Sequence, residues 1–149
     1  LAEIYLMKAE ALTQLAILNG EDQELLKEAY AMVKVIRDRS TAVPTTDISE
    51  SEGVYTGKTM EEFVLAERGR EMIFEGKRWF DVLRQAKRNN YADNNLEYLM
   101  TLAEYSAPAS KVNSLKVKYR NYNSHYLPIY SEELDANPLL LQNEFYANN

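Results

Sequence analysis

A run of alternating charges at residues 67–85, ERGREMIFEGKRWFDVLRQ, holds the densest set of chemically active side chains in this sequence. On an uninterrupted helix, at about 100° per residue, five of them share one stripe: Glu67, Arg70, Glu71, Arg78 and Asp81. Charges three positions apart are neighbours on a helix. The spacing therefore predicts three ion pairs: Glu67 with Arg70, Glu75 with Arg78, and Asp81 with Arg84.

Two carboxylates on successive turns could be the acid and base of a glycoside hydrolase, whose carboxyl groups lie about 5–9 Å apart. Glu67 with Glu71, or Glu71 with Glu75, meets the shorter spacing. However, a neighbouring arginine stabilises the ionised carboxylate, whereas the acid of such a pair must hold its proton. We interpret the stripe as a structural charge network. The opposite stripe is predicted to pack in the core: Leu65, Met72, Trp79 and Leu83, with Ile73 and Phe80 beside them.

Composition argues against metal and nucleic-acid chemistry. The chain has no Cys and a single His, so thiolate and histidine-based metal sites are not expected. We expect His125 to be partly buried and hydrogen-bonded to the backbone rather than a general base. Asp47, Glu50 and Glu52 could hold calcium. Their spacing lacks the ordered alternation of a twelve-residue calcium loop, so a solvated acidic loop is the alternative. A net charge of −6 without a basic block disfavours nucleic acid. We expect no metal and no cofactor.

The elements that carry these side chains are predicted to be helical. Residues 1–19 have helical periodicity, with apolar residues on more than one side, so this helix should be covered on more than one side. Asn19-Gly20 predicts its end, and Asp22 predicts the N-cap of a second helix over 23–39. The short link makes an antiparallel hairpin close in length to one tetratricopeptide unit. The length of 149 residues predicts a single domain over 1–149.

The rest of the chain is predicted to alternate loops with shorter helices. Residues 40–58 have loop composition, Thr59 with Glu62 predicts a capping box that opens the third helix, and Gly76 predicts a kink or a break. Leu96, Leu99 and Leu102 predict a short helix.

Towards the C-terminus, LKVKY at 115–119 alternates like a short strand. Ser131 predicts the cap of a last helix that ends at Asn137-Pro138. We expect the apolar tail LLLQNEFY to lie back on the body of the protein.

Four stretches, taken in order, resemble the C-terminal part of the SusD/RagB family and together span the chain. They are LAEIYLMKAEAL (1–12), VKVIRDRS (33–40), ERGREMIFEGKRWFDVLRQ (67–85) and YLPIYSEELDANPLLLQNEFY (126–146). The departures are small: Tyr130 stands where the family usually has the second Pro of Pro-Ile-Pro, and Glu144-Phe145 where Pro-Gly is common.

The resemblance implies an all-α fold of tetratricopeptide-like hairpins with long irregular loops. It also implies a binding protein, not an enzyme: a surface-exposed outer membrane lipoprotein that delivers oligosaccharide to a SusC-like TonB-dependent transporter. The signal peptide, lipid anchor and N-terminal half of such a protein are then expected to precede Leu1.

The matching motifs are scaffold motifs, so the resemblance assigns no sugar contact to them. Aromatic rings with a hydroxyl suit sugar binding, and Tyr55, Tyr119, Tyr122 and Tyr126 are the candidate platforms. A helical-repeat interaction scaffold without sugar binding is the alternative, and a carbohydrate hydrolase is a weaker third. The sequence names neither the glycan nor the oligomeric state.

Overall fold

The computed structural model describes residues 1–42, 47–48, 55–92 and 94–147, with Asn89 described by its backbone alone. Across these ranges the chain forms seven α-helices and no strand, which confirms the all-α prediction. The helices are α1 Ala2–Leu18, α2 Gln23–Arg39, α3 Gly57–Glu71, α4 Arg78–Lys87, α5 Glu97–Ser106, α6 Ala109–Tyr119 and α7 Ser131–Ala136, with 3₁₀ turns at Arg88–Tyr91 and Tyr122–His125. Two compact units are present, Leu1–Trp79 and Phe80–Asn149. The single domain over 1–149 stays a prediction.

In the first unit, α1 and α2 form the predicted hairpin. Helix α1 ends at Leu18, and Asn19-Gly20 begin the turn, as expected. The Asp22 carboxylate accepts from the backbone N–H groups of Glu24 and Leu25 and so caps α2. Because two adjacent elements are joined by four residues, they pack antiparallel.

The core of the first unit lies between α1, α2 and α3. Helix α1 contributes an alanine-rich face, whose small side chains let the helix backbones approach closely. Helix α2 contributes apolar residues at helical spacing. The buried members from the three helices are Leu6, Ala9, Leu12, Ala16, Leu26, Ala29, Val33, Ile36, Met60, Phe63 and Val64. The other face of α1 is not covered as expected: Ile4, Met7, Leu15 and Leu18 are exposed.

Helix α3 begins earlier than the sequence predicted. Its cap is Thr56, whose hydroxyl accepts from the Thr59 N–H at 3.1 Å, so the predicted Thr59–Glu62 capping box is wrong. The reason lies outside the helix: the Glu21 carboxylate accepts from the N–H of Gly57 and satisfies one of the unpaired donors of an earlier first turn. Gly57 is required here, because a Cβ at this position would overlap the side chain of Ile17.

The charged run 67–85 does not form one helix. Helix α3 stops at Glu71, a turn follows, and α4 starts at Arg78, which confirms the predicted break around Gly76. Gly76 has a φ of +69°, a left-handed conformation that ends helices and that glycine adopts without strain. The single charged stripe and its opposite apolar stripe are therefore wrong as continuous surfaces.

The apolar residues of that run are also less buried than predicted. Leu65 and Met72 are buried, but Ile73 and Phe80 are exposed, and Trp79 and Leu83 are only half-buried. The assignment of Trp79 to the core is corrected accordingly. Because α3 ends at Glu71 and α4 begins at Arg78, the two halves of the run do not belong to one continuous helix.

In the second unit, α5 packs on α6, and α6 packs on the 3₁₀ turn Tyr122–His125. The short helix predicted from its leucines is confirmed as α5. The strand predicted over 115–119 is wrong, because these residues are the end of α6. Val112, Leu115 and Tyr119 are half-buried at helical spacing, and this longer period prevails over a five-residue alternation.

The C-terminal segment corrects two further predictions. Ser131 is the first residue of α7 and no side chain caps that helix, so Ser131 is not its cap. Leu139 and Leu141 are exposed rather than folded back. The tail is held through amides instead: the Gln142 side chain bonds both the N–H and the carbonyl of Ile129, each at 2.9 Å.

Candidate functional site

The predicted charge network is present in the first unit, centred on Glu67. Arg37 of α2 donates to the Glu67 carboxylate at 2.8 Å, and both side chains are buried. Arg70 donates to the same oxygen from Nε at 3.0 Å and from Nη2 at 2.6 Å. The predicted Glu67–Arg70 pair is therefore confirmed, and Arg37 extends it to a second helix.

The other carboxylates of the run are also engaged by cations. Glu71 accepts from Arg39 at 2.5 Å, Glu75 from Lys77 at 2.9 Å and Asp81 from Arg84 at 3.0 Å, the last as predicted. Arg78 donates to the Leu65 carbonyl at 2.7 Å, and its pairing with Glu75 stays a prediction. Two carboxylates held in this way do not form the acid–base pair of a hydrolase.

Tyr55, one of the four predicted sugar platforms, lies in the core. It is 4% exposed and stacks on Tyr30, with ring centroids 5.3 Å apart. Tyr30 stacks in turn on Phe63. Gln23 holds the Tyr55 backbone at both its N–H and its carbonyl. The Tyr55 ring is therefore covered on the face that a sugar would need for stacking.

The other three predicted platforms, Tyr119, Tyr122 and Tyr126, meet around His125. With Tyr91 they form what we call the tyrosine patch: Tyr91, Tyr119, Tyr122, His125 and Tyr126. Tyr91 and Tyr122 stack at 4.0 Å between centroids. Tyr122 is 46% exposed and Tyr126 54%, so each presents ring surface to solvent. Tyr119 is half-buried beside them.

His125 organises the patch from within. It is 3% exposed, and Nε2 donates to the Tyr119 carbonyl at 2.7 Å. In the neutral ring Nδ1 is then the acceptor, so the Tyr91 hydroxyl donates to it at 2.8 Å. Burial lowers the pKa of His125; the bond to the Tyr119 carbonyl opposes this shift, and the charge of Lys87 adds to it. The expected backbone partner of His125 is present, and the side chain is more fully buried than expected.

The two tyrosines that hydrogen-bond to His125, Tyr91 through its hydroxyl and Tyr119 through its carbonyl, stay neutral at ordinary pH. Burial raises the pKa of Tyr91 to about 12, with smaller contributions from Tyr126 and Tyr122. Burial also raises the pKa of Tyr119. The patch therefore offers neutral hydroxyls and ring faces, the chemistry that suits sugar hydroxyls and C–H surfaces.

Beside the patch lies an open depression of about 410 Å³ lined by Phe80, Leu83, Arg84, Lys87 and Arg88, which we call the cationic depression. Lys87 joins the two surfaces. Its Nζ donates to the Tyr126 hydroxyl at 2.6 Å and lies 4.0 Å from the centre of that ring. The candidate site is the tyrosine patch together with this depression.

Sequence reasoning missed Tyr91, Lys87 and the organising role of His125. Nothing near Tyr91 in the sequence marks it as a stacking partner. The cations had a detectable signal, because Arg84, Lys87 and Arg88 are three and four positions apart and so share a helix face.

The candidate calcium ligands are placed only in part. Asp47 lies 3.2 Å from the Tyr30 hydroxyl and 3.6 Å from Arg37 Nε, whereas Glu50 and Glu52 lie outside the described residues. Within the described ranges no three acidic or histidine side chains converge as metal ligands would. In the same ranges no helix has the length and apolar character of a membrane span.

Comparison with protein families decides the identity. The model of the SusD family matches residues 1–146. The chain belongs to the SusD family. Its four motifs, the helical hairpin and the charge network are thus the family scaffold. Neither the curated proteins nor the solved structures include a match to this chain.

SusD-family proteins are carbohydrate- or nutrient-binding components of the outer membrane and work with TonB-dependent transporters. They are binding proteins rather than enzymes. Membership places the chain among such components.

Proposed function

We propose that this SusD-family chain binds a glycan at the tyrosine patch and passes oligosaccharide to a SusC-like TonB-dependent transporter. The protein acts at the cell surface as an outer membrane lipoprotein. It performs no catalysis, and no metal or cofactor takes part. Family membership supports the uptake role, and the exposed tyrosines support the sugar.

The observation that carries the glycan proposal is the pair of exposed rings, Tyr122 at the start of a 3₁₀ turn and Tyr126 directly after it. Tyr91 supports Tyr122 from behind, and the His125 hydrogen bonds fix the turn. Because the rings are ordered before a sugar arrives, binding loses little side-chain entropy. Stacking on the ring faces supplies apolar contact.

Polar side chains around the same turn can orient the sugar. Asn121 is exposed and accepts from the backbone N–H of Asn123, and the Asn123 side chain donates to Glu144 at 3.0 Å. Amide and carboxylate groups are the partners that sugar hydroxyls use for hydrogen bonds. The rings would then provide affinity, and these groups selectivity.

Calorimetry on the intact protein with a panel of neutral and acidic polysaccharides tests the proposal. Tyr122→Ala and Tyr126→Ala should each weaken binding about two- to twelvefold, since an aromatic contact contributes about 0.5–1.5 kcal/mol. Tyr105→Ala is the matched control, because Tyr105 is exposed on α5 outside the patch. Equal affinities for all three variants would move the sugar site elsewhere.

One observation favours a second candidate, a protein-interaction scaffold without sugar binding. The apolar row of α1, made of Ile4, Met7, Leu15 and Leu18, is exposed at helical spacing. Exposed apolar patches of this kind mark protein interfaces. A well-folded intact protein that binds no polysaccharide of the panel, yet binds the transporter through this row, would favour the scaffold.

A further inference from the structure

We propose that the glycan bound by this site is acidic and that the cationic depression binds its carboxylate or sulfate groups beside the ring of Phe80. The inference rests on the proposed function, because it names the class of ligand for the same site. It follows from three cations and one exposed ring in this chain.

The first argument is position. Arg84 and Lys87 lie in the last turn of α4, and Arg88 opens the 3₁₀ turn that follows. At spacings of three and four residues their side chains share a face. The positive groups also lie at the C-terminal end of the helix, where the dipole favours cations and so helps to hold them together.

The second argument is the local charge balance. Among the described residues, those that line the depression include three cations and no carboxylate. Asp81 is buried and accepts from Arg84 at 3.0 Å, and with it these residues carry a formal charge of +2. The acidic excess of the chain lies almost entirely before Phe80, and from Phe80 onward acidic and basic residues nearly balance. An anion therefore meets a locally positive surface on a protein of negative net charge.

The third argument is the kind of surface between the charges. Phe80 is 60% exposed and Leu83 lies beside it in the same wall, so the depression combines an apolar floor with charged edges. A neutral sugar would contact the Phe80 ring, and the cations would stay hydrated. A uronic acid or a sulfated sugar places its C–H face on the ring and its anion on the cations, where charge-assisted hydrogen bonds are about twice as strong as neutral ones.

Lys87 connects this subsite to the tyrosine patch. Its ammonium already contacts the Tyr126 hydroxyl and lies over the Tyr126 ring. An ammonium has three donors, so it can keep the tyrosine contact and donate to an anion as well. One chain of sugar units could thus place an anionic group at the depression and a ring on Tyr126.

The test compares polygalacturonate with its carboxyl-reduced form, titrated into the intact protein by calorimetry. Dextran sulfate against dextran gives the same comparison for sulfate. We expect each acidic polymer to bind at least about tenfold more tightly than its neutral counterpart at low salt. The difference should shrink as added salt screens the depression.

Charge variants then locate the effect. Lys87→Gln should weaken the acidic polymer about fivefold and the neutral one by a smaller factor, because it removes a charge at a half-exposed position. Lys87→Arg should retain the preference. Lys111→Gln removes an exposed charge from α6 and is the matched control, which distinguishes the depression from general attraction of polyanions. If Lys87→Gln lowers the melting temperature, Arg88→Gln provides the independent variant.

Two results overturn the inference in distinguishable ways. Equal binding of acidic and neutral polymers, or equal loss in the Lys87→Gln and Lys111→Gln proteins, rejects the acidic ligand and leaves the glycan-binding function in place. If the folded protein binds none of the acidic or neutral polymers, the proposed function and this inference are both rejected.

Discussion

Glu67→Leu is expected to destabilise the first unit strongly, because it leaves Arg37 buried without its main counter-charge. Arg37 and Glu67 are each about 4% exposed in their side chains and 2.8 Å apart. Removing one partner of such a pair costs about 3–5 kcal/mol, most of it the penalty for an uncompensated buried charge. Asp47, 3.6 Å from Arg37 Nε, offsets only a part.

The neighbouring pair on the same two helices supplies the control. Arg39 also runs from α2 to α3, where it contacts Glu71 at 2.5 Å, but its side chain is 59% exposed. Arg39→Gln should therefore cost no more than about 1 kcal/mol. Both changes break an Arg–Glu pair between the same two helices, and the two pairs differ in burial.

Urea unfolding measures both effects, provided that the slope of the free energy of unfolding against urea stays constant. The double variant Arg37→Leu with Glu67→Leu should recover most of the loss, because two apolar side chains replace the pair without a stranded charge. If Glu67→Leu costs about as little as Arg39→Gln, then Arg37 reaches water in the variant, and the reasoning from burial is wrong.

Three further outcomes are expected. Tyr55→Ala should cost about 3–5 kcal/mol in the free energy of unfolding, as for large buried aromatics. Trp79→Ala should cost clearly less, because Trp79 is only half-buried. Thermal melts that rank the two variants in the opposite order contradict the burial assignments. Gly57→Ala should cost about 1–3 kcal/mol, since its Cβ overlaps Ile17, and Ile17→Ala in the same chain should relieve part of that penalty in urea unfolding. Burial lowers the pKa of His125 in the folded state, so its stability contribution is complete above the unfolded value of about 6.5 and is lost as pH falls through the folded pKa. Unfolding free energies at pH 7.5 and pH 5 should differ less in a His125→Gln protein, and an unchanged difference would refute the role of that ring.

Where the sequence predicted the fold correctly, the deciding interactions were local. The Asp22 cap, the end of α1 and the break at Gly76 each depend on residues within one or two helical turns. Helical periodicity likewise identified the helices of the first unit.

The predictions that failed depended on distant partners or on too short a window. Thr59 is not the cap because Glu21, far away in sequence, satisfies the N–H of Gly57. The five residues of 115–119 alternated by chance inside a longer helical period.

The candidate site shows the same division. The sequence singled out tyrosines because an aromatic ring with a hydroxyl suits sugar binding, but it could not tell which rings are exposed. Tyr55 is buried by Tyr30, whereas Tyr122 and Tyr126 are exposed. Lys87 and Tyr126 meet although 39 residues separate them.

By itself, the sequence determined the all-α class, the first hairpin, the family scaffold and the charge pairing within single helices, because each arises between residues close together in the chain. Only the tertiary structure decided which aromatic rings face water. It also decided that three cations and a tyrosine share one surface. Burial and exposure are set by whatever packs against a side chain, and those partners come from distant positions that no local pattern identifies.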